Sequence, residues 1–446
     1  MAAERADAPA PARRCAYRVL RRVFEDGAFT GPALQHAASG LDARDRALAM
    51  RLAYGAVQRR GTLDALIERL ARRPARRIDA PLLAALRLGL YELVYSQGAP
   101  AHAVVNDAVE LAGEQSRAGR GLVNAVLRRA AREGAEALLA PFDDRTAEHA
   151  ALLYSHPRWV SELWWEELGA DAARALMAAD NEPGELALRA NTLVTDAAEL
   201  AAALPVASHR DERLHEALVL DGPLDSSRDT LFAHGAYLAQ SRAAMFVSRA
   251  LAPEAGQRVL DLCAAPGGKS THLAALAGDG GEVLAVERNP ARARELRATA
   301  ERMRAASVRV LVADAAEPLA DAGDFERVLV DPPCSGLGTL QARPDLRWRV
   351  QPGDIAALAA LQRRILENGA SHLCPGGMLV YSTCTIGTEE NEPVIKSFLA
   401  AHPDFDLDDL TALWPEAASP GLAGTLQTRP DRDRTAGFFI ARLRRR

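Results

Sequence analysis

Lysine is almost missing from this chain. Among 54 basic residues only Lys269 and Lys396 are lysines, and all the others are arginine. With the alanine-rich composition this points to a GC-rich coding background, in which a lysine marks a place where arginine would not serve. Aromatic residues are scarce, at 5%. The five cysteines (Cys15, Cys263, Cys334, Cys374, Cys384) form no CxxC pair, which excludes a disulfide framework and a zinc site. Such a pattern belongs to a reducing compartment, where a thiol can serve as a reagent. No apolar run approaches the roughly 18 residues of a membrane-crossing helix. The N-terminal stretch MAAERADAPAPARR lacks an apolar core of signal-peptide length. A soluble, cytoplasmic protein is expected. Phosphate loops are missing too. GxGxxG does not occur, and Cys263 stands where a Walker A loop ending in Gly268, Lys269 and Ser270 needs glycine.

What is present divides into three stretches. A length of 446 residues suggests two or three domains. The first, residues 1–140, reads as helical throughout from residue 13 to about 140. Tyr17, Leu20, Val23 and Phe24 recur at helical spacing, as do Leu48, Leu52, Ala53 and Val57, and Pro81 stands near the start of a further helix. This stretch holds 22 arginines and 15 acids, about +7, which leaves about −12 for the rest of a chain whose net charge is −5. A basic helical bundle suits RNA docking. On charge alone, a solvated arginine face fits equally well. Residues 141–240 look like a small α+β insert. Within it, HPRWVSELWWEELG forms a helix with Trp159, Leu163, Trp164 and Leu168 as an apolar stripe, and ELALRANTLVT forms a strand and turn.

From 241 to 446 strands alternate with helices. The runs RVLDL, EVLAVE, VRVLVAD, RVLVD and GMLVYSTC are short and apolar, and the spacing predicts a parallel, doubly wound α/β sheet. Ligands bind such sheets at the carboxyl ends of the strands. Asp261 ends the first run, and Pro266, Gly267 and Gly268 form a tight loop before a helix starting around Ser270. Glycines admit a ligand close to the backbone, and a helix N-terminus offers free N–H groups to a carboxylate. Glu287 ends the second run, placed to take both ribose hydroxyls, and Asp314 ends the third, placed near an adenine amino group. Three acids in register behind a glycine loop fit an adenosine ligand without phosphates, S-adenosylmethionine.

The fourth run leads into Asp331, Pro332, Pro333 and Cys334, and the fifth into Cys384. Paired prolines keep that turn out of a helix. Cys15 and Cys374 read as buried small apolar residues. Two thiols and a carboxylate beside a methyl donor fit methylation of cytosine at carbon 5. A thiolate adds to carbon 6, an acid opposite N3 neutralises developing charge, and a base removes the carbon-5 proton so that the thiol can leave. The residues alone do not decide which cysteine attacks.

CAAPGGKST, DPPCSGLGTLQARPDLRW and GGMLVYSTCTIGTEENE, in this order, resemble the signatures of the NOL1/NOP2/Sun family of RNA 5-methylcytosine methyltransferases. DRALAMRLAYGAVQRRGTLD and YELVYSQGAPAHAVVNDAVELA resemble the NusB-like RNA-binding domain. The fusion is similar to the bacterial RsmB/Sun (Fmu) branch, which acts on one cytosine of 16S rRNA. The resemblance implies that Cys263, Ala264, Ala265, Pro266, Gly267, Gly268 and Lys269 line the methionine side of S-adenosylmethionine. Glu287 would bind the ribose, Asp314 the adenine, and Asp331 the space between cofactor and base. It implies Cys384 as nucleophile and Cys334 as the thiol that assists release. It implies an RNA partner, 16S rRNA, free or within an assembly intermediate, and the expected protein is a monomer without metal or membrane. Ser241 and Ala436 depart from the family pattern, which has an acid at each place. A non-catalytic RNA-binding factor and a tRNA methyltransferase are the competing readings.

Overall fold

The structure, a computed structural model, describes residues 9–96, 98–226, 229–319 and 322–446. Most of the leader reading rests on residues 1–8, which lie outside them. The chain forms two compact units, one of residues up to Glu182 together with Leu340–Arg349, the other of Pro183–Thr339 and Val350–Arg446.

The first unit is helical. Its long helices are Pro11–Phe24, Ala43–Gln58, Arg60–Ala71, Ala80–Tyr95, Ala101–Gly113 and Arg120–Glu133. Proline opens the first and fourth of these, where its missing N–H costs nothing, and Asp42 caps the second by accepting from Asp45 N–H. Leu20, Leu52, Leu63, Leu66, Ile67 and Leu127 meet in the core. Helices Ala147–Leu153, Arg158–Leu168 and Ala170–Ala179 belong to this unit as well. The tryptophan stripe differs from expectation. Helix Arg158–Leu168 buries Val160, Ser161 and Trp164, while Trp159, Leu163 and Leu168 are half-buried, because the inward face is centred one residue further on.

Segment Leu340–Arg349 is pinned by Arg347. Its guanidinium is fully buried and donates to the carbonyls of Gln58 (3.1 Å), Ser155 (2.9 Å) and Asp180 (3.1 Å) and to Asn181 Oδ1 (3.1 Å). Trp348 Nε1–H donates to Val57 C=O at 2.7 Å, and Asp345 accepts from the Thr30 hydroxyl at 2.7 Å.

The second unit holds two sheets. The smaller contains β1 (Ala187–Ala190), β2 (Ser208–Arg210), β3 (Ala217–Leu220) and β4 (Tyr237–Ala239), in the order β2-β3-β1-β4 and antiparallel throughout. The larger contains β5 (Arg258–Leu262), β6 (Glu282–Val286), β7 (Val308–Leu311), β8 (Phe325–Val330), β9 (Leu373–Thr383), β10 (Phe405–Asp408), β11 (Leu426–Gln427) and β12 (Phe439–Arg445). Its order is β10-β12-β9-β8-β5-β6-β7, with β11 beside β12. From β9 to β7 the neighbours are parallel, as the five apolar runs require. The antiparallel strands β10, β11 and β12 make the sheet mixed, a departure from the wholly parallel expectation. Arginines interrupt FIARLRR, so β12 does not stand out as an apolar run.

Both faces of the parallel part are covered. Leu260 and Val328 point into one core, with Ile365 and Phe398, while Val259 and Leu329 point into the other, with Leu273 and Phe246. That is the two-residue alternation of a strand buried on both sides. Cys15 is buried as expected, but Cys374, at the start of β9, is half-buried.

Candidate active site

β5 passes its buried Asp261 and ends at Leu262, and Cys263 then turns with a left-handed backbone, φ 65°. Ala264 N–H returns to Val286 C=O at 2.9 Å, tying the loop to β6. Gly267 has φ 101°, and a Cβ there would come within 2.5 Å of Leu296 Cδ1, so only glycine fits. The helix that follows is Gly268–Ala277, two residues earlier than expected. Arg189 of β1 braces its first turn, donating to Gly268 C=O at 2.6 Å and to Thr271 Oγ1 at 2.8 Å.

Asp261 is 1% exposed; one carboxylate oxygen accepts from the Ser270 hydroxyl at 2.6 Å and the other has no partner among the described residues. Burial pushes its pKa up to about 7, assisted by the negative charge of Asp331, while Ser270 and Lys269 oppose the shift. Burial also pushes the Cys263 thiol up to about 12, with the charges of Asp331, Asp261 and Glu287 adding to it. Glu287, directly after β6, is buried at 3% exposure; Asn289 N–H binds Oε1 at 2.8 Å, and Arg292 approaches Oε2 to 3.4 Å. Asp314 stands three residues past β7, exposed, and accepts from Ala316 N–H of its own turn at 2.9 Å.

β8 and β9 are parallel neighbours, with Val330 opposite Tyr381. Asp331 follows Val330 directly, and Cys384 follows Thr383. Register thus delivers both turns to the same edge. Cys334 Sγ and Cys384 Sγ lie 3.3 Å apart, and both residues are half-buried. The next residues repeat the contact, since the Ser335 and Thr385 hydroxyls are 2.7 Å apart. Gly338 N–H donates to Cys384 C=O at 2.9 Å, and Gly437 N–H to Gly338 C=O at 2.7 Å. Asp331 accepts from Lys269 Nζ at 2.7 Å and from the Ser382 hydroxyl at 2.8 Å. Lys269 in turn sits 5.0 Å from the centre of the Phe438 ring. Burial works against its charge, but Asp331 outweighs it and raises the Lys269 pKa.

The structure brings together Cys263, Lys269, Asp331, Cys334 and Cys384, with Glu287 beside the same loop; Asp314 contacts only its own turn through the bonds described. Sequence reasoning assigned no role to Ser270, Ser382, Phe438 or the buried Glu390. Glu390 lies inside the quoted EENE stretch, between Glu389 and Asn391, where no local pattern marks it as buried. At the departures from the family pattern, Ser241 caps helix Arg242–Leu251 by accepting from Ala244 N–H at 3.3 Å, and Ala436 C=O accepts from the Thr428 hydroxyl at 2.7 Å. Among the described residues no group of His, Cys, Asp and Glu could hold a metal, and no helix is long and apolar enough to cross a membrane.

Fold and site together define a methyltransferase-type α/β domain carrying paired thiols. Residues 248–444 match the family model described as 16S rRNA methyltransferase RsmB/F, residues 10–132 match the NusB family, and residues 156–227 match the RsmF/B-like ferredoxin-like domain. A Synechocystis relative, designated a probable ribosomal RNA small subunit methyltransferase B, is 36% identical over 97% of this chain and 99% of its own. The Vibrio cholerae ribosomal RNA small subunit methyltransferase B is 33% identical, covering 97% of this chain and 96% of its own. Among solved structures, that of PH0851 superposes with a TM-score of 0.85 at 28% identity, over 98% of each chain. The chain belongs to the RsmB/F family of 16S rRNA methyltransferases.

Proposed function

We propose that this protein methylates carbon 5 of one cytosine in 16S rRNA, using S-adenosylmethionine and a covalent bond between Cys384 and carbon 6. The observation that carries the reading is the 3.3 Å approach of Cys334 and Cys384 beside the Lys269–Asp331 pair. One pyrimidine ring can meet both thiols and the carboxylate only if all three share an edge, and here they do.

The cofactor site fits its ligand on its own terms. Gly267, at φ 101°, lets the loop turn tightly ahead of the helix N-terminus, and Asp261 just before the loop keeps one buried carboxylate oxygen unpartnered among the described residues. Cys263 through Lys269 would hold the methionine part, Glu287 the ribose and Asp314 the adenine. When bound, S-adenosylmethionine supplies an electrophilic methyl group. The protein does the rest. Cys384 adds to carbon 6, making carbon 5 nucleophilic. Asp331, which accepts from Lys269 Nζ, would face N3, and the Lys269 ammonium supplies the positive charge that answers negative charge growing there. After transfer, a base takes the carbon-5 proton as the bond between carbon 6 and Cys384 Sγ breaks, so that Cys384 leaves as a thiolate, with Cys334 assisting release. The cytosine must leave its stack to reach the thiols.

The NusB-like helices would dock the RNA, which favours rRNA over tRNA, and the intact thiol pair argues against a retired enzyme. Bisulfite mapping of rRNA and tRNA from cells lacking the gene tests the proposal. Loss of one 16S rRNA signal is expected. Loss in tRNA alone would overturn the substrate, and an unchanged map would overturn the reaction.

A further inference from the structure

We propose that Glu390 is a positioning residue which, through Ser335 and Gln362, fixes Cys334 and reserves attack on the pyrimidine for Cys384. This rests on the reaction proposed above. Glu390 is 1% exposed. Its Oε1 accepts from Ser335 N–H at 2.9 Å and from Gln362 Nε2–H at 2.8 Å. Gln362 Nε2 also donates to Pro333 C=O at 2.9 Å. The peptide groups just before and just after Cys334 are therefore both tied to one carboxylate–amide pair. Tyr381 extends the cluster to β9, three residues before Cys384. Its hydroxyl lies 2.7 Å from Glu390 C=O and 3.1 Å from Gln362 Oε1.

A thiolate attacks and a thiol does not, so two sulfurs over one ring need unequal charge environments. The groups facing Cys334 are Cys384, Glu390, Asp331 and Tyr381. The hydrogen bond with Cys384, then burial, then the negative charges of Glu390 and Asp331 hold the Cys334 thiol well above its ordinary range. Cys384 instead interacts with the Lys269 ammonium. Arg363 acts on the Tyr381 hydroxyl. Burial raises the Glu390 pKa above the ordinary carboxylate value, against the hydrogen bonds from Ser335 and Gln362 that favour its charged form; as a carboxylate it serves Cys334 both as a tether and as a reason to keep its proton.

Iodoacetamide labelling of the full chain across pH, with each cysteine quantified by mass spectrometry, tests this without RNA or cofactor. In the native protein the labelling midpoint of Cys334 is expected at least about one pH unit above that of Cys384. Glu390→Gln keeps an acceptor oxygen for Ser335 but removes the charge. It should lower the Cys334 midpoint by about one unit and leave that of Cys384 in place. Glu390→Asp, which restores the charge, should return the Cys334 midpoint towards the native value. An unshifted Cys334 in the folded Gln variant would overturn the proposal. So would a native protein in which Cys334 labels at or below the midpoint of Cys384, a measurement that needs no variant. Failure of the reaction reading shows separately, as rRNA without the methyl group.

Discussion

Lys269 Nζ and Asp331 Oδ2 lie 2.7 Å apart, with the Ser382 hydroxyl on the other carboxylate oxygen and the Phe438 ring beside the ammonium. In a chain that uses arginine nearly everywhere else, this position keeps a lysine. The geometry explains it, because a compact point charge fits between a carboxylate and an aromatic face where a planar guanidinium does not. Lys269→Met leaves Asp331 without its cation, a loss of about 2–3 kcal/mol for a partly buried pair, or about 30–150-fold in kcat/KM. Lys269→Arg should rescue little of it. Methyl incorporation into an rRNA fragment measures both, and an arginine variant at native rate would show that only charge matters.

The two thiols should fail differently. Cys384→Ala removes the proposed nucleophile, so neither methylated RNA nor a covalent complex should form. Cys334→Ala keeps the nucleophile and loses release, so a protein–RNA adduct should accumulate. Denaturing gels with labelled RNA separate the outcomes. Methylation at the native rate by Cys384→Ala would reverse the assignment.

The turns meet through backbone as much as through sulfur. A Cβ on Gly338 would stand 2.0 Å from Gly437 C=O, an atom that cannot move without displacing β12. Gly338→Ala should therefore cost about 2–4 kcal/mol of stability and slow methylation, since the same residue donates to Cys384 C=O. Thermal melting together with single-turnover rates checks both halves. A variant as stable and as fast as the native protein would mean that the close approach is dispensable.

Asp261 carries a pH signature. Its pKa is about 7 in the folded protein against 3.8 for the free side chain, so the folded state binds the extra proton. The stability this contributes is complete below about pH 4 and is lost as pH rises through about 7, a change of order 2–4 kcal/mol. Melting temperature of the cofactor-free protein should accordingly fall between pH 5 and pH 8. Asp261→Asn, which keeps an acceptor for Ser270, should flatten that fall. An equal slope in both proteins would remove burial of this carboxylate as the cause.

Much of this was legible because most of the parallel strands are buried on both faces and so read as short, mostly apolar runs, β7 with its exposed Arg309 being the exception. Asp261, Glu287, Asp331 and Cys384 each close or follow such a run, and register then fixes them at one edge. What stayed hidden has physical reasons. β12, an interior strand between β10 and β9, carries three arginines in its last four residues, which break the apolar run that would have announced it. Segment Leu340–Arg349 lies within a quoted signature, yet its buried Arg347 binds carbonyls of the first unit, a pairing no spacing rule encodes. Glu390 and Gln362 are far apart in sequence and become partners only when helix Pro352–Ser371 packs on the sheet.

The arginine-rich first stretch raised two readings, an RNA-docking face or a solvated surface, and one loop offers a test between them. Arg72, Arg73, Arg76 and Arg77 are all exposed around the single turn Ala75–Arg77, after helix Arg60–Ala71. Four guanidinium groups so close repel one another unless an anion accompanies them, and RNA phosphate supplies one. Each phosphate neutralised contributes about 0.7–0.9 to the slope of log affinity against log salt. Replacing the four with glutamine should lower that slope by about 3 if each meets a phosphate and weaken RNA binding by about 10–100-fold at moderate salt, with cofactor affinity unchanged. Filter binding across a salt series, beside calorimetry with the cofactor, gives both numbers. An unaltered slope would leave these arginines as ordinary solvated charge and move the docking face elsewhere on the helices.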